Sequence, residues 1–200
     1  MIVSCGVVPR LILINGPPAC GKSTMATMYA AAHPLALVLD IDRVRGCLGR
    51  WREDPPAAGR AARTIALAAA GAHLRAGHDV IVPQLLARPA FLTGLERVAG
   101  AAGAGFAEIV LLAGKDDTLR AFAGRAASAR PADRAAHGLA GHAGGDLGLA
   151  AMHDRLTAFL ATRPNAIIVP VTRGQPGHTY DAMLAALDGR PSPPPGDRSP

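Results

Sequence analysis

The sequence predicts an α/β protein of three layers, in which a five-stranded parallel sheet carries helices on both faces. Short apolar runs of strand length alternate with longer segments of helical composition, which is the pattern of a parallel sheet. Half of the 200 residues are apolar, which is enough for one full core. A glycine-bounded loop separates the first strand from the first helix. Right-handed connections then indicate a doubly wound sheet, with ligands bound beyond the carboxyl ends of the strands.

The five predicted strands are short apolar runs bounded by turn residues. In chain order they are Leu11–Asn15, Leu35–Leu39, Asp79–Pro83, Phe106–Leu112 and Ala166–Val171. The predicted helices fill the intervening segments with good helix formers, and the first of them stops before Pro34. In chain order they are Lys22–Ala32, Arg43–Leu48, Ala57–Ala76, Pro89–Ala102, Asp116–Ala127, Leu147–Ala161 and Thr179–Leu187.

We interpret residues 1–188 as one domain, and two segments depart from its alternating pattern. Residues 126–145 are rich in arginine, alanine, glycine and histidine, with Pro131 near the start. Their weak apolar periodicity predicts a short mobile lid, with an ordinary surface loop as the alternative. Residues 189–200 are rich in proline, serine and glycine, which predicts a disordered tail.

The loop after the first strand has the pattern G-x-x-x-x-G-K-S, the phosphate-binding P-loop. In this context its backbone N–H groups and the following helix N-terminus favour anions. Lys22 is expected to reach the β- and γ-phosphates of a nucleotide, and the Ser23 hydroxyl to ligate Mg²⁺. The alternative is a chance match in a chain rich in glycine and alanine. The nucleotide-binding residues predicted here are Gly16, Pro17, Pro18, Ala19, Cys20, Gly21, Lys22, Ser23 and Thr24.

The net charge of +6 is consistent with two classes of partner, nucleic acids and small phosphorylated ligands. The basic residues are scattered and are not interleaved with aromatic ones, so the second class is favoured. Lysine occurs only at Lys22 and Lys115, which makes the lysine of the loop more informative.

Cysteine usage and hydropathy predict a cytoplasmic protein without a membrane partner. The three cysteines have no CxxC spacing, which fits a reducing compartment and argues against a disulfide framework or zinc site. The apolar start has no basic region before it, so we expect no signal peptide. The seven histidines have no metal-ligand spacing, and no apolar run is long enough to span a bilayer.

The segment Asp40–Arg45 reads D-I-D-R-V-R and resembles the D-G-D-x-x-R segment of adenylylsulfate kinase, with Ile41 replacing the glycine. Together with the loop, it makes the chain similar to the small P-loop kinases. That family includes adenylylsulfate kinase, chloramphenicol phosphotransferase, gluconate kinase, polynucleotide kinase and zeta toxins. The resemblance covers most of the first 188 residues as element order. It implies a P-loop NTPase fold and the use of ATP and Mg²⁺.

Asp42 is the candidate general base of this segment. The resemblance implies that an aspartate here orients the acceptor hydroxyl, and a carboxylate beyond a strand end can take its proton or bind Mg²⁺ through water. Asp40 is the second choice or an outer-shell metal partner. Arg45, three residues on, is suited to clamp an anionic or polar substrate. The alternative is that Asp42 only caps a helix beginning at Arg43.

Gln84 stands after the third strand, where nucleoside monophosphate kinases usually carry an aspartate. The metal would then rest on Ser23, nucleotide oxygens and water, with Asp40 or Asp42 in the outer shell. Gln84 is a candidate to hydrogen-bond the acceptor. Arg88 either reaches the same cleft or is the exposed start of a helix.

Arginines of the lid region and of the loop after the last strand complete the predicted site. The resemblance implies that Arg125 stacks on adenine and that Arg130, with Arg134 as a further option, neutralises the phosphoryl group in transfer. Arg173 is a second candidate to stack on the base. The alternative for each of them is a solvated surface residue.

These residues predict an ATP-dependent phosphotransferase acting on a hydroxyl of a small molecule such as an antibiotic, a sugar or a nucleoside or nucleotide. Val80–Gln84 also resembles tunicamycin-resistance P-loop proteins, so one alternative is a nucleotide-binding resistance or switch protein without transfer. Another is a polynucleotide 5′-hydroxyl kinase. We expect a monomer or a homodimer.

Overall fold

The structure is a computed structural model that describes residues 8–86, 89–114 and 145–189. Its strands are β1 (Arg10–Asn15), β2 (Leu37–Val38), β3 (Val80–Pro83), β4 (Gly105–Leu112) and β5 (Ile167–Pro170). Its helices are α1 (Lys22–Ala32), α2 (Ile41–Gly46), α3 (Pro55–Arg75), α4 (Pro89–Ala101), α5 (Gly145–Leu160) and α6 (Pro176–Leu187). The predicted helix Asp116–Ala127, nearly all of the predicted lid and the tail from residue 190 lie outside the described residues.

The five strands form one parallel sheet in the order β2-β3-β1-β4-β5, which confirms the predicted fold class. β3 pairs with β2 on one side, Val80 opposite Leu37, and with β1 on the other, Val80 opposite Leu11. After β1 the chain runs to the edge strand β2 and then comes back to β3, which lies between β2 and β1. The last two strands, β4 and β5, follow on the other side of β1. This strand order, with all pairings parallel, is typical of a doubly wound sheet.

The chain divides into two compact units. The first consists of Met1–Ile14 and Ala26–Glu108, and the second of Asn15–Met25 and Ile109–Pro200. The interpretation of residues 1–188 as one domain stays a prediction.

The core of the first unit is built around β1 and β3. Leu11–Ile14 and Val80–Val82 are fully buried, as expected for central strands of a parallel sheet. α3 packs against α4 through small residues, and the backbone of Gly94 lies against Leu67, where a Cβ would be 3.1 Å from that side chain. Few aromatic residues are needed, because alanines let the helices approach closely.

The second unit has its own core on β4 and β5, in which Ile109–Leu111 are buried with Leu156, Val169 and Met183. β4 pairs with β5 in parallel, with Leu111 opposite Val169. α6 packs on β5. This unit contains the whole G-x-x-x-x-G-K-S loop.

Several predicted element boundaries differ from the structure by one to three residues, and two of the differences have a clear local reason. The second strand begins at Leu37 instead of Leu35, because Leu35 follows Pro34 and adopts a left-handed φ of 63°. α3 begins at Pro55 instead of Ala57, because the Asp54 carboxylate accepts the Ala57 N–H and proline suits the first helical turn. Among the described residues, no helix is both long and apolar enough to cross a bilayer.

Candidate active site

The loop between β1 and α1 turns through three residues of positive φ, Gly16 at 145°, Ala19 at 67° and Gly21 at 97°. Gly16 is required for a second reason. A Cβ there would lie 2.5 Å from the Leu111 carbonyl oxygen and 2.8 Å from the Cys20 sulfur. The glycine therefore lets the loop backbone touch β4 and the buried Cys20 side chain.

Lys22 folds back across this loop. Its Nζ donates to the carbonyl oxygens of Gly16 at 2.9 Å and Pro17 at 2.8 Å. At the start of the loop, the fully buried Asn15 side chain accepts the Gly16 N–H at 2.8 Å. These bonds hold the loop in its curved form and place a positive charge at its mouth.

Ser23 and Thr24 follow in the first turn of α1, and both are exposed. A hydroxyl at this position is a hard oxygen ligand of the kind that Mg²⁺ accepts. In residues 8–86, 89–114 and 145–189, no three His, Cys, Asp or Glu side chains form a metal cluster.

A cavity of about 560 Å³ lies in the second unit beside the loop. This volume is within the usual range of small-molecule sites. The cavity is lined by the loop and the first turn of α1, by the end of β4, and by the segment from the end of β5 into α6. The lining residues are Ala19, Cys20, Gly21, Thr24, Met25, Leu112, Ala113, Gly114, Pro170, Val171, Thr172, Arg173, Gly174, Pro176 and Thr179.

The segment after β5 is fixed by side-chain hydrogen bonds. The Thr172 N–H donates to the buried Thr179 hydroxyl at 3.2 Å, and the Thr172 hydroxyl lies 3.3 Å from His178 Nδ1. Just after β4, the carbonyl oxygen of Ala113, another lining residue, lies 3.4 Å from His153 Nε2 of α5. Arg173, predicted to contact the base, is an exposed member of the lining.

The acceptor segment predicted from the sequence belongs to the first unit. Asp40 caps α2, because its Oδ1 accepts the N–H groups of Asp42 at 2.9 Å and Arg43 at 3.3 Å. The interpretation that Asp42 caps a helix from Arg43 was therefore wrong. The helix starts at Ile41, and Asp40 takes the capping role.

Asp42 lies in the first turn of α2 with its side chain about half exposed, at 52%. Its Oδ1 forms an ion pair with Arg45 Nη2 at 3.0 Å. The Arg45 side chain is only 14% exposed. The two predicted acceptor residues are thus brought together, one helical turn apart.

Gln84 follows β3 directly, and Asp40 follows β2 after one intervening residue. The two strands are neighbours and parallel, so both residues stand at the same edge of the sheet. The Leu39 N–H donates to the Ile81 carbonyl at 2.8 Å, which continues the pairing to the residue before Asp40. Arg88, Arg125, Arg130 and Arg134 lie outside the described residues.

Residues 11–140 of the chain match the AAA domain family AAA_33. The chain belongs to this family. It is therefore a small P-loop kinase domain by family, as the loop and the Asp40–Arg45 segment predicted. A search of curated proteins found no significant match.

Solved structures similar to this AAA_33 chain share its fold at low identity. A protein from Chloroflexus aurantiacus is 17% identical with a TM-score of 0.60, over 91% of this chain and 97% of that one. The Deinococcus radiodurans tunicamycin resistance protein is 18% identical with a TM-score of 0.57, over 94% and 99%. A gluconokinase from Sinorhizobium meliloti is 16% identical with a TM-score of 0.55, over 90% and 94%. At these identities the comparison establishes the fold alone.

Sequence reasoning missed several side chains of the AAA_33 chain's candidate site. Asn15, Thr172, His178 and Thr179 act through hydrogen bonds that position loop backbone. The one available signal was a polar residue ending the otherwise apolar first strand, at Asn15. Nothing in the sequence pattern marks the other three.

Proposed function

We propose that the protein is a phosphotransferase that moves the γ-phosphoryl group of ATP to a hydroxyl of a small molecule, with Mg²⁺. The observation that carries the proposal is Lys22, held by its Nζ at the mouth of a glycine-bounded loop that opens beside a cavity of nucleoside size. Membership of a P-loop kinase family supports the class of reaction.

The loop is proposed to bind the triphosphate. Pro17 and Pro18 have no N–H, so the backbone donors come from Ala19 onward and from the first turn of α1. Lys22 exchanges two carbonyl oxygens for phosphate oxygens when ATP binds. The neighbouring cavity receives the nucleoside, and Arg173 at its lining contacts the base.

Ser23 is proposed to hold Mg²⁺, with Asp40 or Asp42 in the outer shell. The ion, when bound, neutralises charge on the phosphate oxygens. Gln84 stands where nucleoside monophosphate kinases usually carry an aspartate, so in this proposal the direct protein ligand of the ion is the Ser23 hydroxyl.

In the proposed transfer, Asp42 accepts the proton of the acceptor hydroxyl. The hydroxyl oxygen forms a bond to the γ-phosphorus while the bond from that phosphorus to the β–γ bridging oxygen breaks, and ADP leaves. Arg45 holds Asp42 and the acceptor, and Gln84 donates to the acceptor. Arg125, Arg130 and Arg134 are proposed to neutralise the transferring group or to stack on adenine, and Arg88 to contact the acceptor.

The acceptor is a small molecule in this proposal, and the cysteine pattern supports a cytoplasmic location. A panel for its identification should include hydroxylated antibiotics, sugar acids, sugars, nucleosides and nucleotides. An oligonucleotide with a free 5′-hydroxyl tests the nucleic-acid alternative, for which binding would fall steeply with salt.

The test has two readouts, stabilisation by MgATP and acceptor-dependent release of ADP. Saturating MgATP should raise the unfolding temperature of the wild-type chain, and Lys22→Ala should abolish the shift. Arg60→Gln, on the exposed side of α3, is the matched control that removes a cation elsewhere. Stabilisation with no ADP release across the panel would favour a nucleotide-binding protein without transfer. No stabilisation in the wild type would exclude both.

A further inference from the structure

Trp51, the only tryptophan of the chain, lies in the connection between α2 and α3 and is half-buried. Its ring contacts two arginines. The guanidinium carbon of Arg45, in the last turn of α2, lies 4.9 Å from the ring centroid, and that of Arg52 lies 4.5 Å from it. Both distances are within the range of cation–π contacts. The ring therefore joins the connecting segment to an arginine that also contacts Asp42.

The orientation of Arg45 depends on a second contact beside its ion pair. Its side chain is nearly buried, its Nη2 bonds to Asp42 at 3.0 Å, and its Nε is buried without a hydrogen-bond partner in the described part of the chain. An ion pair at one end of a planar guanidinium fork does not by itself fix the plane of the group. The Trp51 ring supplies that constraint, and a cation–π contact is stronger at a desolvated guanidinium group than at an exposed one.

The backbone around Trp51 presents the ring to α2. Cys47 ends α2, and the chain turns at Arg50, whose left-handed φ of 52° is unfavourable for a residue with a Cβ. Two bonds close this turn. The Glu53 N–H donates to the Arg50 carbonyl at 3.0 Å, and Arg50 Nε donates to Glu53 Oε1 at 2.7 Å. Because α2 also packs against α3, the tryptophan belongs to a short segment that is bonded internally and anchored at both ends.

Arg52 contacts the same ring but in a different environment. It is exposed, so its cation–π contact competes with water and contributes less than that of Arg45. Substitution of Arg52 therefore removes a cation from the ring while the pair of Arg45 and Asp42 keeps all its atoms. This makes Arg52 the matched control for any test of Trp51.

We infer that Trp51 is a positioning residue for the proposed transfer and acts on Asp42 through Arg45. The inference rests on the proposed function, in which Asp42 takes the proton of the acceptor hydroxyl. A general base must lie within hydrogen-bond distance of that hydroxyl, and the Asp42 carboxylate is 52% exposed on a helix of six residues. A guanidinium group fixed by an indole ring limits the directions that this carboxylate can take. Trp51 itself touches neither ATP nor the acceptor in this account.

Trp51 fluorescence tests the coupling without any acceptor. Indole emission responds to charge close to the ring, and the chain has no other tryptophan. Asp42→Asn removes the ion pair of Arg45 and should shift the emission maximum of the full chain. In a chain that already carries Arg45→Met, Asp42→Asn should produce no further shift, because the link to the ring is gone. Arg60→Gln, on the exposed side of α3, should leave the emission unchanged.

Acceptor-dependent ADP release gives the second test, with any acceptor of the panel that supports turnover. Trp51→Leu should lower kcat roughly three- to thirtyfold, as for loss of a partly desolvated cation–π contact, and leave the KM of ATP unchanged. Trp51→Phe keeps an aromatic face and should restore most of the loss, and it carries the test if Trp51→Leu does not fold. Arg52→Gln should leave kcat within about twofold, because Arg45 stays on the ring.

A double-mutant cycle distinguishes positioning from general destabilisation. If Trp51 acts through Arg45, Trp51→Leu should change kcat by less than about twofold in a chain that carries Arg45→Met. A merely structural role would lower kcat equally in both backgrounds. The unfolding temperature of each variant shows that the compared proteins are folded under assay conditions.

The outcomes separate the inference from the proposed function. An equal loss of kcat with and without Arg45, or an emission shift from Asp42→Asn that persists in the Arg45→Met chain, would overturn the inference while the phosphotransferase proposal stands. Absence of ADP release from the wild type with every acceptor would overturn the proposed function. The emission measurements would then still decide whether Trp51 and Asp42 are coupled through Arg45.

Discussion

The carboxylate of Asp42 and the guanidinium group of Arg45 lie 3.0 Å apart across one turn of α2. Asp40 caps the helix by accepting the N–H groups of Asp42 and Arg43, so the capping carboxylate is that of Asp40 and not that of Asp42. A short helix of six residues thus separates a structural carboxylate from one that faces an arginine. This division of roles leads to the first two predictions.

Asp42→Asn should lower acceptor-dependent ADP release by about 10²- to 10⁴-fold, the usual contribution of a general base, and leave MgATP affinity within about twofold. The amide keeps the shape of the side chain but cannot take a proton. ADP release and a MgATP titration of the unfolding temperature measure the two effects. A larger loss of turnover in Asp40→Asn would assign the base to Asp40 instead.

Asp40→Ala should destabilise the protein by about 1 kcal/mol, because the N–H groups of Asp42 and Arg43 lose their acceptor. Asn is as good an N-cap as Asp, so Asp40→Asn is the matched control and should cost only a few tenths of that amount. Urea denaturation with a common slope gives both values. Equal destabilisation by the two substitutions would contradict the capping role.

Gly16→Ala should cost roughly 1–3 kcal/mol and weaken MgATP binding, since it combines a strained backbone with a Cβ only 2.5 Å from the Leu111 carbonyl oxygen. Gly100→Ala is the matched control. A Cβ at Gly100 meets nothing within 4 Å, and the site is in α4, so alanine should stabilise the protein by about 0.5–1 kcal/mol. Thermal unfolding with and without MgATP measures both variants. An unchanged midpoint for Gly16→Ala would show that the loop can move away from β4.

Tyr180→Phe should leave the protein equally stable, or up to about 1 kcal/mol more stable, at pH 7. The Tyr180 hydroxyl is buried and has no hydrogen-bond partner in the residues the structure describes, so its removal leaves nothing unpaired. Urea denaturation at pH 7 tests this. A loss above about 1 kcal/mol would reveal a bond to that hydroxyl.

The same residue predicts a dependence on alkaline pH. Burial, and secondarily the charge of Asp181, raise the pKa of Tyr180 above its ordinary value of 10.0. The folded state then binds the proton more tightly than the unfolded state, so this stabilisation is complete below pH 10 and is lost as pH rises through the folded pKa. Urea denaturation between pH 8 and 11 should show a steeper decline for the wild type than for Tyr180→Phe. Parallel declines would contradict the assignment.

The strand, loop and helix that hold the phosphate motif were predictable almost to the residue, because their signals are local. α1 begins and ends where the sequence predicted, and β1 differs by one residue. The choice between Asp40 and Asp42 as the cap was not predictable, since both residue types favour that role and the backbone geometry decides. The cavity segment was missed for another reason. Thr172 bonds to a residue seven positions later in the chain, and the Ala113 carbonyl contacts one forty positions later. No local sequence pattern predicts contacts at such separations.

The two prolines at the start of the phosphate loop have a consequence for the speed of nucleotide capture. Each pyrrolidine ring fixes one backbone dihedral, and Lys22 already ties the carbonyls of Gly16 and Pro17 together. Little chain freedom is left to be lost when a polyphosphate arrives. The association rate of the nucleotide should therefore depend on diffusional encounter and on release of the Lys22 ammonium from the two carbonyl oxygens. A slow rearrangement of the loop around the bound polyphosphate should contribute little.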